Sequence, residues 1–243
     1  IARRTPLRSL LLGTLLGWLY ITRPIAALSI AAILFYLLFQ DRRRLLLVAP
    51  TALVWFVGFC AWSMSLYHSW RPPYYATGLS AENFFGAAAG QLFSPARGLL
   101  IFCPWLLALI PLLVRLWKSR AHRPLLLTGL GVIVAHWLVI SAWPMWWFGH
   151  CFGPRAFLDV VPWMGVVTIL AVSAAPLRPS GAAVMLTTLL IAVSVLIHGE
   201  GAMANRAQEW NNQPQNIDAY PERAWDWRDP QFLAGFLARP QGR

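Results

Sequence analysis

The sequence predicts an all-α fold: a multi-pass transmembrane helix bundle of about seven spans, with an outside interfacial helix and a short outside tail. Of the 243 residues, 58% are hydrophobic and only 12% are charged, whereas about 25% are charged in an average soluble domain. The segment from Leu45 to Trp70 contains no Asp, Glu, Lys or Arg, and about 20 apolar residues are enough to cross a bilayer as a helix. These observations exclude a disordered chain and argue against a soluble globular enzyme.

Seven apolar segments predict the spans. They are residues 8–22, 25–39, 45–68, 95–117, 124–143, 156–176 and 181–198. The first two require a break, because a single helix from Ser9 to Gln40 would be about 48 Å long and the hydrocarbon core is about 30 Å thick. We predict a hairpin that turns at Thr22-Arg23-Pro24. Residues 1–199 then form the transmembrane bundle, and residues 200–243 form the tail.

The basic residues predict the orientation of these spans. Eleven of the 20 lie on one side, in the N-terminal segment, 41–44, 115–123 and at Arg178, four lie in loops of the opposite side, and five lie in the tail. The positive-inside rule places the first side in the cytoplasm. The loops 69–94 and 144–155 and the tail then face outward, and we expect an integral protein of the bacterial inner (plasma) membrane. The net charge of +11 reflects this bias, so the bilayer and not a nucleic acid is the expected partner.

Two outside segments are predicted to be structured. Ser80 is a good N-cap for a helix that reaches about Gln91, and its amphipathic pattern is typical of a helix lying in the membrane interface. In the tail, Asp229 followed by Pro230 predicts a last short turn through Phe236.

Arginine recurs beside proline at the start of each span that is predicted to begin on the outside. The three elements are Thr22-Arg23-Pro24, Ser94-Pro95-Ala96-Arg97 and Gly153-Pro154-Arg155. Arg opposes the positive end of the helix dipole, so its repetition indicates a bound anion, and helix N-termini with Arg side chains bind phosphate. The candidate lipid-phosphate-binding residues are therefore Arg23, Ser94, Arg97 and Arg155. The alternative is that these arginines reach lipid headgroups or pair with Glu82 and Asp159.

Outside acids and aromatic residues supply the other candidate functional side chains. Glu82 and Asp159 are the candidate catalytic residues, beside the acids of the tail, although a first-turn Glu is also explained by the helix dipole alone. Trp146, Trp147 and His150 are candidates for sugar contact, with interfacial anchoring as the alternative for the indole rings. The three Cys residues have no metal-type spacing, and no metal or cofactor is predicted.

These motifs resemble bacterial membrane proteins of the GT-C superfamily, relatives of the protein mannosyltransferases and of aminoarabinose transferases that act on lipid A. The resemblance rests on FSPARGLL at Phe93–Leu100, Cys103-Pro104, WWFGHCFGPR at Trp146–Arg155 with Asp159 and Pro162, the segment Gly17–Pro24, and the tail Pro221–Phe232. It implies a glycosyltransferase that uses a polyprenyl-phosphate-linked sugar at the outer membrane face.

The resemblance also implies that part of the enzyme lies upstream. In that family the catalytic acid lies in the first outside loop near the N-terminus, and nothing in this sequence matches it. We therefore expect this chain to be the C-terminal portion, with the missing N-terminal part as its partner. Alone, it is expected to bind a polyprenyl phosphate without turning it over. An anionic-lipid transporter or flippase and a non-catalytic membrane scaffold are the alternatives. A transporter would be expected to contain charged residues near mid-bilayer and an internal sequence repeat.

Cysteine labelling from outside tests the predicted orientation. In a background that lacks Cys151, Asn212→Cys should react with a membrane-impermeant thiol reagent and Ser119→Cys should not, because the Arg-rich loop 115–123 stays on the cytoplasmic side. Labelling at 119 but not at 212 would overturn this topology.

Overall fold

The computed structural model describes residues 5–73, 78–120, 122–176 and 178–236. Arg3, Arg4 and the end of the tail from residue 237, which contribute to the predictions above, lie outside these ranges. Of the described residues, 72% are helical and none lies in a strand. This confirms the all-α class.

The regular structure of the described residues consists of α-helices and short 3₁₀ helices. The α-helices are α1 Pro6–Thr22, α2 Ala27–Gln40, α3 Arg42–Tyr67, α4 Phe84–Phe93, α5 Leu99–Phe102, α6 Ile110–Leu116, α7 Arg123–Ser141, α8 Val161–Ser173, α9 Gly181–Met203 and α10 Asn205–Glu209. The 3₁₀ helices include Pro24–Ala26, Pro104–Leu109, Arg155–Val160, Pro221–Trp225 and Gln231–Leu233.

Within the described ranges, four helical segments are long and apolar enough to cross a membrane. They are α3, α7, α9 and the continuous segment Arg155–Ser173, which ends with α8. These four segments support a membrane protein. The other predicted spans are helical too but shorter or interrupted, so the count of seven spans stays a prediction.

The described residues divide into two compact units. The first contains the residues up to Gly78 together with Pro124–His136, and the second contains Leu79–Arg123 and the chain from Trp137 onward. The boundary between the two units falls inside α7, and residues of α7 therefore belong to both units.

In the first unit, the predicted break between the first two spans is present. α1 ends at Thr22, Arg23 is extended at φ −146° and ψ 92°, and Pro24 opens a 3₁₀ turn. Leu16 of α1 and Leu37 of α2 lie in one buried cluster, although they would be about 32 Å apart in a continuous helix. The chain therefore folds back here.

Close packing of α1 on α3 depends on two glycines one helical turn apart. A Cβ atom at Gly13 would lie 2.6 Å from the Cβ of Thr51, and one at Gly17 would overlap the Cβ of Trp55. The indole Nε1 of Trp55 also donates to the Thr14 hydroxyl at 3.3 Å. Small residues at this spacing let membrane helices approach closely. The resulting van der Waals packing stabilises helix association in lipid, where the hydrophobic effect does not.

In the second unit, the predicted span 95–117 is interrupted. A turn over Ser94–Arg97 is followed by the short helix α5, the 3₁₀ helix Pro104–Leu109 and α6. Proline lacks the N–H group that continues an α-helix, which explains the break at Pro104. Ser94 caps the turn and not a helix, because its Oγ accepts the Arg97 N–H at 2.9 Å while α5 begins at Leu99.

The helix predicted to start after Ser80 begins later, at Phe84. The Ser80 hydroxyl accepts the N–H of Glu82 at 3.3 Å, so it closes a local turn and not the first turn of α4. In this helix Ala88 is buried, whereas Phe85 is 86% exposed. The position of α4 in a membrane interface stays a prediction.

The tail is folded into the second unit. α9 continues to Met203, past the predicted start of the tail at residue 200, and the last turn through Phe236 is present as a 3₁₀ helix and a following turn. The side of the membrane on which the tail lies stays a prediction. Several buried tail side chains share one apolar cluster with Ala87, Ala96 and Trp146; they are Trp210, Ile217, Ala224 and Ala234.

Paired glycine substitutions test the contact of α1 with α3. Gly17→Ala should destabilise the protein by about 1–3 kcal/mol, because the added methyl group overpacks the contact with Trp55. Gly58→Ala is the matched control, since a Cβ there meets no atom within 4 Å and Ala favours a helix by about 1 kcal/mol over Gly. Unfolding by a denaturing detergent measures both, and equal stability of the two variants would contradict the close approach.

Candidate functional site

The side chain of Arg97 is buried in the second unit, where it is only 3% exposed. A buried cation is tolerated only when its lost hydration is replaced by protein groups. Here every N–H group of the guanidinium has an acceptor in the protein. Nε donates to Trp147 O at 2.7 Å, Nη1 donates to Ala96 O at 2.8 Å and to Gln231 Oε1, and Nη2 donates to Gly149 O at 3.0 Å and to Asn211 Oδ1 at 2.9 Å.

These five bonds give Arg97 a structural role, and its predicted role in binding phosphate stays a prediction. Guanidinium has five N–H donors and no acceptor, so a phosphate would have to displace a protein oxygen to bind it. The oxygens come from the turn at Ala96, from the loop 147–149 and from the tail. Arg97 therefore ties these three segments together. Ser94, the other candidate in this turn, is fully buried.

Two amides of the tail complete this polar centre. Gln231 is fully buried; its Oε1 also accepts the Gly153 N–H at 3.3 Å, and its Nε2 donates to Cys151 O at 2.8 Å. Asn211 is buried as well, and its Nδ2 donates to Gln208 O at 3.1 Å. Neither residue was predicted as a site residue, although Gln231 lies in the tail motif Pro221–Phe232, because a single amide in a polar tail has no distinguishing pattern.

A second buried arginine holds the tail in its own shape. Arg223 forms an ion pair with Asp229 at 2.8 Å, and its guanidinium carbon lies 3.9 Å from the ring centroid of Trp210. The Trp210 Nε1 donates to Asp229 O at 2.9 Å. This packing fixes the tail backbone from which Asn211 reaches Arg97.

The other two arginine candidates are exposed. Arg23 lies in the first unit, and Arg155 begins the 3₁₀ helix Arg155–Val160 of the second. Asp159 lies in the same 3₁₀ helix and is half-buried. In a 3₁₀ helix residues align at i and i+3, so positions 155 and 159 do not share a face as they would in an α-helix. The convergence of the three arginines on one phosphate stays a prediction.

A cavity of about 240 Å³ brings together Glu82 and Trp146, two of the predicted functional residues. Glu82 is exposed, whereas Trp146 is buried, so the cavity has a carboxylate open to solvent and a fixed indole. Trp143 forms a further aromatic wall. The lining residues are Ser80, Glu82, Asn83, Ala87, Ser141, Trp143, Pro144 and Trp146.

Hydrogen bonds fix the walls of this cavity. The Gln91 amide of α4 donates to Ile140 O at 3.1 Å, and its Oε1 accepts from the Ser141 hydroxyl at 3.3 Å. The Ser80 N–H donates to Ala142 O at 2.7 Å. The segment before α4 is thereby held against the end of α7.

The Trp146 ring packs on α4 at a glycine. A Cβ atom at Gly90 would lie 2.5 Å from Cζ3 of Trp146. No larger residue fits there without moving the indole, so this glycine sets the depth of the aromatic wall.

Trp147 and His150 belong to a second cluster with two tail residues. The Trp147 Nε1 donates to Asp218 Oδ1 at 2.7 Å, and the His150 Nε2 lies 3.4 Å from Asp218 Oδ2 and 3.1 Å from Asn216 Oδ1. Asp218 was predicted only as one of several tail acids, and its partnership with the loop carries no signal in the sequence. An acid, an imidazole and an indole are groups that can bind and polarise hydroxyl compounds.

Cys151 lies in the electrostatic field of two arginines and of the tail acid. Burial raises the pKa of its thiol, with Arg97 and Arg155 opposing the shift and Asp218 adding to it. A raised pKa disfavours the thiolate, which is the nucleophilic form of cysteine.

No protein-family model matches this sequence, and the comparisons with curated proteins and with solved structures found no match either. The function is therefore inferred from the geometry of the second unit and from the sequence motifs.

Replacing Arg97 by Lys tests its structural role. An ammonium has three donors where the site holds five acceptors, so we expect a loss of about 3 kcal/mol or more in stability of the tail packing. Proteolysis by thermolysin within residues 205–236 should become faster. Arg155→Lys is the matched control, since an exposed substitution changes stability by about 0.5 kcal/mol or less. If thermolysin cleaves the tail of both variants at the same rate, Arg97 does not stabilise the packing of the tail.

Proposed function

We propose that the protein takes part in sugar transfer from a polyprenyl-phosphate carrier at the outer face of the membrane, as a GT-C type glycosyltransferase or its C-terminal portion. The observation that carries this proposal is the cavity between α4 and the loop after α7, where Trp143, Trp146 and Glu82 meet. The long apolar helices supply the membrane context that a lipid-linked substrate requires.

The size and chemistry of the cavity suit one sugar ring. Its volume of about 240 Å³ lies just below the roughly 300–1,000 Å³ of pockets for drug-sized ligands. Indole rings pack against the C–H face of a sugar, and carboxylate, amide and hydroxyl groups bind its hydroxyls. Asn83 and Ser80 offer such groups beside Glu82.

The reaction would need two kinds of assistance. A base must take the proton of the acceptor hydroxyl, and cations must stabilise the departing phosphate. Glu82, at the cavity, is the first candidate for acid–base work, and Asp159 is the second. Arg155 and Arg23 remain candidates for the phosphate, while Arg97 is already saturated by protein oxygens.

The interfacial placement of α4 belongs to the same proposal. Phe85 and Phe93 are exposed, whereas Ala87 and Gln91 on the opposite face are buried. An exposed apolar face suits the headgroup region of a bilayer. It would hold the cavity at the depth where a prenyl phosphate presents its sugar.

A non-catalytic membrane scaffold is the second candidate. The saturation of Arg97 favours it, because the most distinctive arginine motif then serves packing alone. A scaffold would bind no sugar, so ligand binding separates the two functions.

Binding of a short-chain prenyl-phosphate sugar tests the proposal. Trp143→Ala and Glu82→Gln should each weaken binding about tenfold, which corresponds to about 1.4 kcal/mol, because each alters one wall of the cavity. Equilibrium binding of the radiolabelled lipid to proteoliposomes measures the affinity. Trp70→Ala and Glu222→Gln, at exposed sites that do not line the cavity, are the matched controls. Wild-type protein without affinity, or equal loss in the controls, would favour the scaffold.

A further inference from the structure

Glu200, in the last turn of α9, has a buried carboxyl group. The residue is only 6% exposed, and its Oε1 accepts the backbone N–H of Gly235. Its Oε2 is buried as well and has no hydrogen-bond partner among the described residues. An ionised carboxylate that loses its hydration must recover it from donors of the protein. One backbone N–H does not replace the hydration of two oxygens, so these surroundings favour the neutral acid.

The partner of Glu200 belongs to the last turn of the tail. Gly235 packs on α9 so closely that a Cβ atom there would lie 2.6 Å from the Cβ of Ala204. The same turn starts with the 3₁₀ helix that contains Gln231, whose Oε1 accepts from Arg97. Glu200 therefore holds one end of a turn whose other end supplies an acceptor to the buried guanidinium.

Few charged side chains lie on the elements around this carboxyl. The elements that pack most extensively on α9 are α5, α10 and the 3₁₀ helices Pro104–Leu109 and Gln231–Leu233. Of these, only α10 contains charged residues, Arg206 and Glu209, and both are exposed. The other titratable groups at this end of α9 are His198 and Cys103, whose Sγ lies 3.4 Å from His198 Nε2. No described side chain donates to Oε2, so burial and one N–H determine the charge of Glu200.

We propose that neutral Glu200 forms a pH-sensitive contact, the Glu200 latch, which holds the last turn of the tail against α9. Deprotonation would leave a buried charge with one oxygen unpaired. The ionised form is therefore stable only when the turn separates from α9 and water reaches the carboxylate. Separation of the turn also takes Gln231 away from Arg97. The latch does not depend on the proposed function, because it rests only on contacts between the tail and α9.

The direction of the pH dependence follows from the protons that the two states bind. A glutamate in water has a pKa of about 4.3, so the carboxyl is ionised at neutral pH once the turn is released, whereas the docked form keeps its proton. Docking of the turn therefore binds a proton. The latch is strongest in acid and weakens as the pH rises, with a change in the docking equilibrium of up to about tenfold per pH unit.

Proteolysis of the full-length protein at two pH values tests the latch. Thermolysin cleavage within residues 205–236 is measured at about pH 6 and about pH 8.5 for wild type and for Glu200→Gln, which stays uncharged. The ratio of the two rates cancels the pH dependence of the protease and any contribution of the His150–Asp218 pair, which both proteins contain. We expect the ratio of wild type to Glu200→Gln to rise about tenfold between the two pH values.

Two results of this experiment would overturn the proposal. One is a ratio that does not change with pH. The other is cleavage of Glu200→Gln at about pH 6 as fast as that of wild type at about pH 8.5, because an uncharged isostere should keep the turn docked. Glu222→Gln is the matched control, since Glu222 is exposed, and it should be cleaved like wild type at both pH values.

Infrared difference spectroscopy measures the proton itself. The spectrum of wild type minus that of Glu200→Gln at neutral pH should contain the carbonyl band of a protonated carboxylic acid. The corresponding difference for Glu222→Gln should contain carboxylate bands. A carboxylate band for Glu200 in the folded wild type would overturn the proposal whatever the proteolysis shows.

Gly235→Ala tests the contact without changing the titrating group. The added methyl group overpacks the contact with Ala204, so the tail should be cleaved faster than in wild type at about pH 6. Its cleavage should also lose the pH dependence of wild type, because the turn is already released. Cleavage like that of wild type at both pH values would contradict the latch, since the last turn would then not be held on α9 at Gly235.

Discussion

The buried guanidinium of Arg97 is the constraint on which the second unit depends. A charge at this depth costs several kcal/mol unless its hydration is replaced, and here five oxygens from three separated segments replace it. Two of these segments also carry candidate site residues: the loop 144–155 carries Trp146 and Trp147, and the tail carries Asp218. The positions of these candidate site residues therefore depend on the same segments whose oxygens replace the hydration of Arg97.

The first unit is held together by a different interaction, the close packing of its helices. Its helices expose much apolar surface, so their mutual packing rests on shape, and Gly13 and Gly17 provide the shape on α1. Membrane helices packed this way keep their backbone groups paired inside each helix. The second unit contains most of the 3₁₀ helices among the described residues, and side chains such as Gln91 and Gln231 donate to backbone oxygens in and beside its turns.

Hydropathy and local sequence signals predicted the all-α class, the break at Arg23 and the last turn of the tail, because each depends on local properties of the chain. The role of Arg97 could not be predicted in that way. Its acceptors lie up to 134 residues away, and three of the five are backbone carbonyls, which leave no trace in residue type. The start of α4 was placed too early because the Ser80 hydroxyl bonds within its own turn. Glu82 and Trp146 were identified separately by residue type, and only the fold joins them in one cavity.

The sequence separation between Arg97 and Gln231 imposes an order on biosynthesis. While the chain is being made, the guanidinium must remain hydrated until residue 231 has been synthesised and reaches it. The full set of five acceptors can therefore form only after the intervening helices and the tail have been made. A chain that ends before the last part of the tail would leave the guanidinium without its Gln231 acceptor, so part of its lost hydration would not be replaced.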